Sequence, residues 1–408
     1  MKDKLVQIYS ILDNKFYFRL FYLFVSLTVV TILKVIPGIN ILSKAALAWG
    51  ILLIVFMAFN DYKKRKIYAF DIPIGIFVII TLFFNLFCYR SSENLKIWIV
   101  NLVLFMSVFT VDVFRNKKMM IKEMKIITYF YVIFMFLSSV ISLFMKFLNK
   151  SVTVNEYVFE GSRGGVFENP NAISIAAAIA IVMSMYLHNT TKHYRLKMLL
   201  TVNIVIQVMT MILFNGRSSF LVVIAVIYCF VFIYSNNKYI RAALLIVPLL
   251  ACIAAVNFEG THIRDFTSGR TSLWESAAIV IEEHPVTGVG YSGMVDSVTN
   301  ARETDDLPGI STGRLHNIYV ETATVNGIIS LSMILIFIIL LFIFMINHID
   351  HMRKKEKFEM TIMTSMILGI LSVNLFESTL IYIVSFISMI FWIYSGYLVS
   401  IMGNRNIE

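Results

Sequence analysis

The chain has 408 residues, of which 58% are hydrophobic, 14% aromatic and 15% charged, and its mean hydropathy is +0.79. These values lie far outside the balance of a soluble domain, and with only 6 prolines and no Pro/Ser-rich linker a modular soluble protein is disfavoured as well. The net charge of +10 raises nucleic acid as a ligand, until that charge is followed along the chain.

Crossing a hydrocarbon layer of about 30 Å takes roughly 20 mostly apolar helical residues. Such runs occur near 17–36, 41–59, 69–88, 95–114, 125–148, 171–188, 196–214, 218–235, 239–257, 317–347, 361–376 and 379–402. The last two are separated by a very short turn at Phe376, Glu377 and Ser378. Their near-continuous apolar character excludes a membrane barrel, which alternates with period two. The expected fold class is therefore all-α: a polytopic membrane protein of about twelve transmembrane helices, with 1–408 as a single integral membrane domain.

With the N-terminus inside, every inner loop carries Lys or Arg, as in Lys63-Lys64-Arg65-Lys66 and Arg353-Lys354-Lys355. This bias places both termini in the cytoplasm. The basic charge is then an orientation signal, and no nucleic acid is expected. The first apolar run sits behind a charged segment and lacks a small-residue cleavage site, so it reads as a retained span. Cys88, Cys229 and Cys252 fall within apolar runs without paired spacing and read as small hydrophobes.

Two segments on the outer side are long enough to hold chemistry: residues 149–170 and the large extracytoplasmic loop 258–316. In the first, Phe167-Glu168-Asn169-Pro170-Asn171 precedes a span, and Asn169 before Pro170 matches a helix start with proline at its first position. The amides of Asn169 and Asn171 also suit sugar hydroxyls. In the second, Ser272 and Glu275 form an S-x-x-E capping box predicted to open a helix from Leu273 to Glu283, ended by His284-Pro285. Gly288, Gly290 and Gly293 spell G-x-G-x-x-G outside any strand–helix context, which rejects a dinucleotide site and leaves a tight turn. Asn203, Gln207, Asn326 and Asn374 lie inside spans and read as links between helices.

Four arginines lie at the outer boundary in glycine-containing strings: Arg163, Arg217, Arg270 and Arg314. A guanidinium offers fixed paired donors for phosphate oxygens, and Arg217 also precedes a helix whose free N–H groups favour an anion. Each alone is equally a snorkelling or ion-paired residue; together they point to a diphosphate head group, with Arg163, Arg217 and Arg270 ahead of Arg314. His316-Asn317 stands where the large loop re-enters the membrane, which places an imidazole to accept a proton from a sugar hydroxyl. A capping role for that pair is the competing reading. His284 is the second-choice base.

Five strings occur in order: Gly161-Ser-Arg-Gly-Gly-Val-Phe-Glu-Asn-Pro-Asn171, Asn215-Gly-Arg-Ser-Ser219, Gly269-Arg-Thr-Ser-Leu-Trp274, Glu283-His-Pro-Val-Thr-Gly-Val-Gly290 and Leu315-His-Asn-Ile-Tyr319. Over residues 160–345 they resemble the O-antigen ligase and polysaccharide polymerase family of polytopic membrane proteins. The resemblance implies a metal-independent, cofactor-free glycosyltransferase of the bacterial plasma membrane. Its substrate would be an undecaprenyl-diphosphate-linked oligosaccharide at the outer leaflet, with Arg163, Arg217 and Arg270 on the diphosphate and His316 assisting the acceptor. A repeat-unit flippase and a chain-length regulator are the partners that such an enzyme implies, besides membrane lipids. No clustered acidic pair at the outer boundary resembles the metal-binding carboxylates of other membrane glycosyltransferases, Asp305-Asp306 being the pair to check against that reading. The composition, rich in Ile, Lys and Asn, favours a polymerase over a ligase. A transporter or flippase is the reading from another class, although the conspicuous charges gather on one side rather than at a midplane site.

Overall fold

The computed structural model describes residues 9–61, 66–256, 267–303 and 306–404. Helices α1 (Lys15–Val29), α2 (Ile39–Phe56), α3 (Asp71–Phe83), α4 (Ser92–Val103) and α5 (Lys117–Phe147) lead to a hairpin of β1 (Ser151–Val154) and β2 (Tyr157–Glu160). Then follow α6 (Pro170–Thr190), α7 (Tyr194–Phe214), α8 (Ser219–Tyr234), α9 (Lys238–Val256), α10 (Arg270–Glu283), α11 (Met294–Asn300), α12 (Ile318–Asp350), α13 (Lys354–Val373) and α14 (Phe386–Met402). Each of the twelve apolar runs overlaps one helix, and α10 and α11 belong to the segment between α9 and α12. Among the described residues, six helices are long and apolar enough to cross a membrane.

The packing is inside-out relative to a soluble bundle. On α7, Leu199, Val202, Val205 and Met209 are exposed while Asn203, Gln207 and Thr210 are buried. Those buried groups form a chain: Gln207 accepts from Ser139 Oγ at 2.9 Å and donates to Asn203, and Asn203 donates to Ser184 Oγ at 2.8 Å. Polar links between helices of this kind stand where the outer face is covered by lipid. At the centre lies α14, every residue of which is buried. Its Trp392 meets Phe105, Phe109, Phe337 and Phe391 at ring-centroid distances of 4.8–5.6 Å.

Two expectations are corrected. The segment 149–170 contains an antiparallel hairpin pairing Ser151 with Glu160, so the fold is mostly helical rather than purely so. The last two spans are separated by the irregular stretch 374–385 rather than by a three-residue turn. Asn374 shapes that stretch by accepting from the Thr379 amide at 2.8 Å, and Leu380 O is held by Ser388 Oγ and Trp392 Nε1 of α14.

The long helix α12 is broken at Gly327, whose φ of 79° and ψ of 170° belong to a region open essentially to glycine. A break frees carbonyls and N–H groups that must be satisfied inside the protein. Here the loop after α10 supplies the partners: Val289 N donates to Thr324 O, Gly290 N to Val325 O, and Ile328 N to Pro285 O, at 2.8–3.0 Å. Tyr89 Oη also donates to Val325 O at 2.9 Å. The turn-forming glycines 288 and 290 therefore serve to dock the loop onto the broken helix. A Cβ on Gly327 would lie 2.0 Å from Val286 O. We expect Gly327→Val to destabilise the fold by at least about 3 kcal/mol, read as loss of the monodisperse peak on detergent size exclusion; an unchanged peak and melting temperature would count against the docking.

Candidate functional site

The site is assembled from the N-terminal ends of four helices. Helix α6 starts as the sequence predicts: Pro170 is its first residue and Asn169 Oδ1 accepts from Ala172 N at 2.8 Å. Helix α8 begins after a turn in which Asn215 is left-handed and Gly216 lies against α6. A Cβ on Gly216 would stand 2.7 Å from Ser174 Cβ, and its N–H donates to Ser174 Oγ. That approach sets Arg217 beside the first turn of α6.

Helix α10 starts at Arg270 after Gly269 at φ 80°, three residues earlier than the capping box predicts. The box does not form, because Arg302 takes both of its members: it donates to Glu275 Oε2 at 2.6 Å and to Ser272 Oγ at 3.0 Å. The helix does end at His284 as expected.

Between these ends lies a cavity of about 490 Å³, lined by Asn171, Arg217, Phe220, Ile224, Ser268 and Arg270 among others. Its size suits a small ligand. Residues from the first turns of α6, α8 and α10 line it, so three positive dipole ends and two guanidinium groups bear on one space. Each such helix end favours an anion by about 0.3–1 kcal/mol when exposed. Burial lowers the pKa of Arg270, with Glu377 opposing, and an arginine stays cationic throughout. Phe220 and Ile224 are 40% and 59% exposed, so the side formed by α8 is apolar and open.

Glu377 was not singled out from sequence, where it read as part of a turn. In the structure it is the hub of the site. Its Oε1 accepts from Asn171 Nδ2 at 2.9 Å and faces Arg270 Nη2 at 3.9 Å, while Oε2 lies 3.7 Å from His316 Nδ1. Three successive carbonyls around it are captured: Phe376 O by Arg270, Glu377 O by Ile318 N at 3.2 Å, and Ser378 O by Arg314. Its only sequence signal was a carboxylate in a short polar gap between two apolar runs.

His316 immediately precedes the cap of α12 and is itself left-handed, at φ 52°. Leu315 holds it there, with its N–H on Glu321 Oε2 at 3.0 Å and its carbonyl accepting from Trp274 Nε1 at 2.8 Å. The Nε2 face looks onto Thr312 Oγ1 at 3.4 Å and onto Gly309, where a Cβ would come within 2.5 Å. Asn317 acts as the cap, accepting from Tyr319 N and Val320 N.

The remaining candidates are placed elsewhere. Arg163 is exposed on the turn after β2 and does not line the cavity, because the glycines beside it pack the turn onto the end of α5: a Cβ on Gly161 would meet Met145 O at 2.3 Å. His284 is exposed at the end of α10. Asn169 serves as a helix cap. Arg314 is largely covered and faces the buried Glu321 at 3.4 Å, and it donates to Tyr291 Oη at 2.9 Å. Of the 258–316 segment, residues 258–266 and 304–305, Asp305 among them, lie outside the described residues, as do Lys63–Arg65; Asp306 O accepts from Ser272 Oγ. Among the described residues no group of three His, Cys, Asp or Glu side chains is arranged to hold a metal.

A cavity of this charge should take inorganic pyrophosphate. Millimolar pyrophosphate should raise the melting temperature of the detergent-solubilised protein by a few degrees, and Arg217→Ala with Arg270→Ala should abolish the shift. An equal shift in that double variant would remove the cavity as the anion site.

Residues 202–335 match the family described as O-antigen ligase, a narrower stretch than the five strings cover. It includes Arg217, Arg270 and His316 and leaves out Asn171 and Glu377. No curated protein is significantly similar to the chain. Residues 202–335 are thus similar to the O-antigen ligase family, in a chain in which six of the described helices are long and apolar enough to cross a membrane.

Proposed function

We propose that the chain is a polymerase that joins undecaprenyl-diphosphate-linked oligosaccharide repeat units at the outer leaflet of the bacterial plasma membrane. The twelve helices are its spans, both termini are cytoplasmic, and the described parts of the outer segment, 267–303 and 306–316, roof the site. The observation that carries this reading is the single carboxylate of Glu377, which joins the arginine-lined cavity to His316.

Arg217 and Arg270 hold the donor diphosphate, and the exposed apolar flank at Phe220 and Ile224 leads the lipid chain toward the bilayer. Asn171 offers an amide to the donor sugar. Arg163, exposed and not among the residues lining this cavity, is left out of the proposed diphosphate set. His316 takes the proton of the acceptor hydroxyl at Nε2, with Glu377 orienting the ring from the Nδ1 side. The acceptor oxygen then bonds to the anomeric carbon as the bond from that carbon to the diphosphate oxygen breaks. Undecaprenyl diphosphate departs with its charge met by the two guanidinium groups. Because leaving-group charge is met by arginine, the reaction is metal-independent, and excess EDTA should leave the elongation rate within about 2-fold.

The test compares lipid-linked glycan lengths in cells lacking the gene and in the same cells carrying wild-type or variant copies. Loss of the gene should leave single repeats on the outer leaflet. His316→Ala and Glu377→Ala should not restore elongation, with rates lowered by about 10²-fold or more. Arg217→Lys should also be impaired, because an ammonium lacks the planar fork. Long chains left on lipid in the deletion strain would mean a ligase, repeats trapped inside would mean a flippase, and normal lengths with His316→Ala would remove that residue from the mechanism.

A further inference from the structure

The transfer reading assigns no task to the most deeply buried charges near the site. Glu321 is fully buried and Arg314 is 12% exposed, and they face each other at 3.4 Å. Both Nη groups of Arg314 are spent on the protein itself: Nη1 on Tyr291 Oη and Glu321, Nη2 on Ser378 O. Its guanidinium also lies over the Tyr291 ring, 5.8 Å from the centroid.

We propose that Arg314 and Glu321 are a positioning pair that fixes His316 relative to Glu377, and that Arg314 is not a phosphate ligand. This inference rests on the transfer reading above. Its basis is where the bonds end. Glu321 Oε2 takes the N–H of Leu315, the residue before His316. Arg314 takes the carbonyl of Ser378, the residue after Glu377. The ion pair therefore closes a bridge between the backbone that carries the base and the backbone that carries its carboxylate.

A buried ion pair is a poor source of net stability, since desolvation offsets the attraction, whereas its geometry can enforce one arrangement. His316 needs such enforcement because its φ of 52° is a conformation that side-chain-bearing residues seldom keep unaided. Tyr291 extends the bridge to the loop docked on the broken helix, one residue beyond the bond from Gly290 to Val325.

The experiment uses the full chain in nanodiscs, with lipid-linked repeats extracted from cells lacking the gene as substrate and undecaprenyl diphosphate as the binding probe. Glu321→Gln and Arg314→Lys should lower kcat by about 10–100-fold, the scale of losing a supporting contact to an active-site group. KM and the Kd for undecaprenyl diphosphate should stay within about 3-fold, since uniform binding is untouched. Tyr291→Phe removes only one bond from Arg314 and keeps the proposal testable if the charge variants do not fold; its kcat should fall by about 3-fold or more.

A rise in KM and Kd with kcat retained would overturn the proposal by making Arg314 a substrate ligand. Wild-type kinetics in these variants, with His316→Ala inactive, would overturn the positioning role alone. Equal activity in all of them and in His316→Ala would overturn the transfer reading itself.

Discussion

The site depends on one constraint: three consecutive carbonyls, of Phe376, Glu377 and Ser378, must all find donors where the chain passes between α13 and α14. They find them on three different elements, in Arg270 at the head of α10, the Ile318 N–H at the head of α12, and Arg314 before it. A backbone with every carbonyl taken in this way has no room to shift, and the Glu377 side chain is aimed accordingly. The arginine-lined cavity and His316 meet where this turn ties their helices together.

The same principle explains the broken helix. In lipid the backbone must be satisfied within the protein, so a kink at Gly327 is tolerable only because the 285–290 loop lends its own N–H and C=O groups. The short N-terminal half of α12 is then a separate platform, fixed at its far end by the docked loop and at its near end by the turn. His316 sits on that platform. The charges collect at these ends, and the lipid-facing surfaces of the helices stay apolar.

The helices could be read from sequence because hydrophobic length is a strong signal: each of the twelve runs overlaps a helix, and Pro170 with the Asn169 cap marks a boundary correctly. Arg217, Arg270 and His316 could be singled out as candidates because a glycine-flanked guanidinium or an imidazole before a helix cap has a local signature. Glu377 could not. It lies 61 positions after His316 and its meaning comes only from tertiary bonds that no spacing encodes. The capping box at Ser272 failed for the same reason, since Arg302, 30 residues on, outcompetes the local bonds. Arg163 shows the converse: a matching local string whose arginine is not among the residues lining the cavity.

The central claim is that this one chain, without a helper enzyme, transfers a glycan from one lipid diphosphate to the next. Its most direct test is purified full-length protein in proteoliposomes given lipid-linked single repeats and EDTA, with products sized after mild acid release from lipid. The account predicts a ladder of longer lipid-linked chains and one undecaprenyl diphosphate freed per bond formed. Single repeats that stay unchanged while the protein remains folded and binds undecaprenyl diphosphate would contradict it.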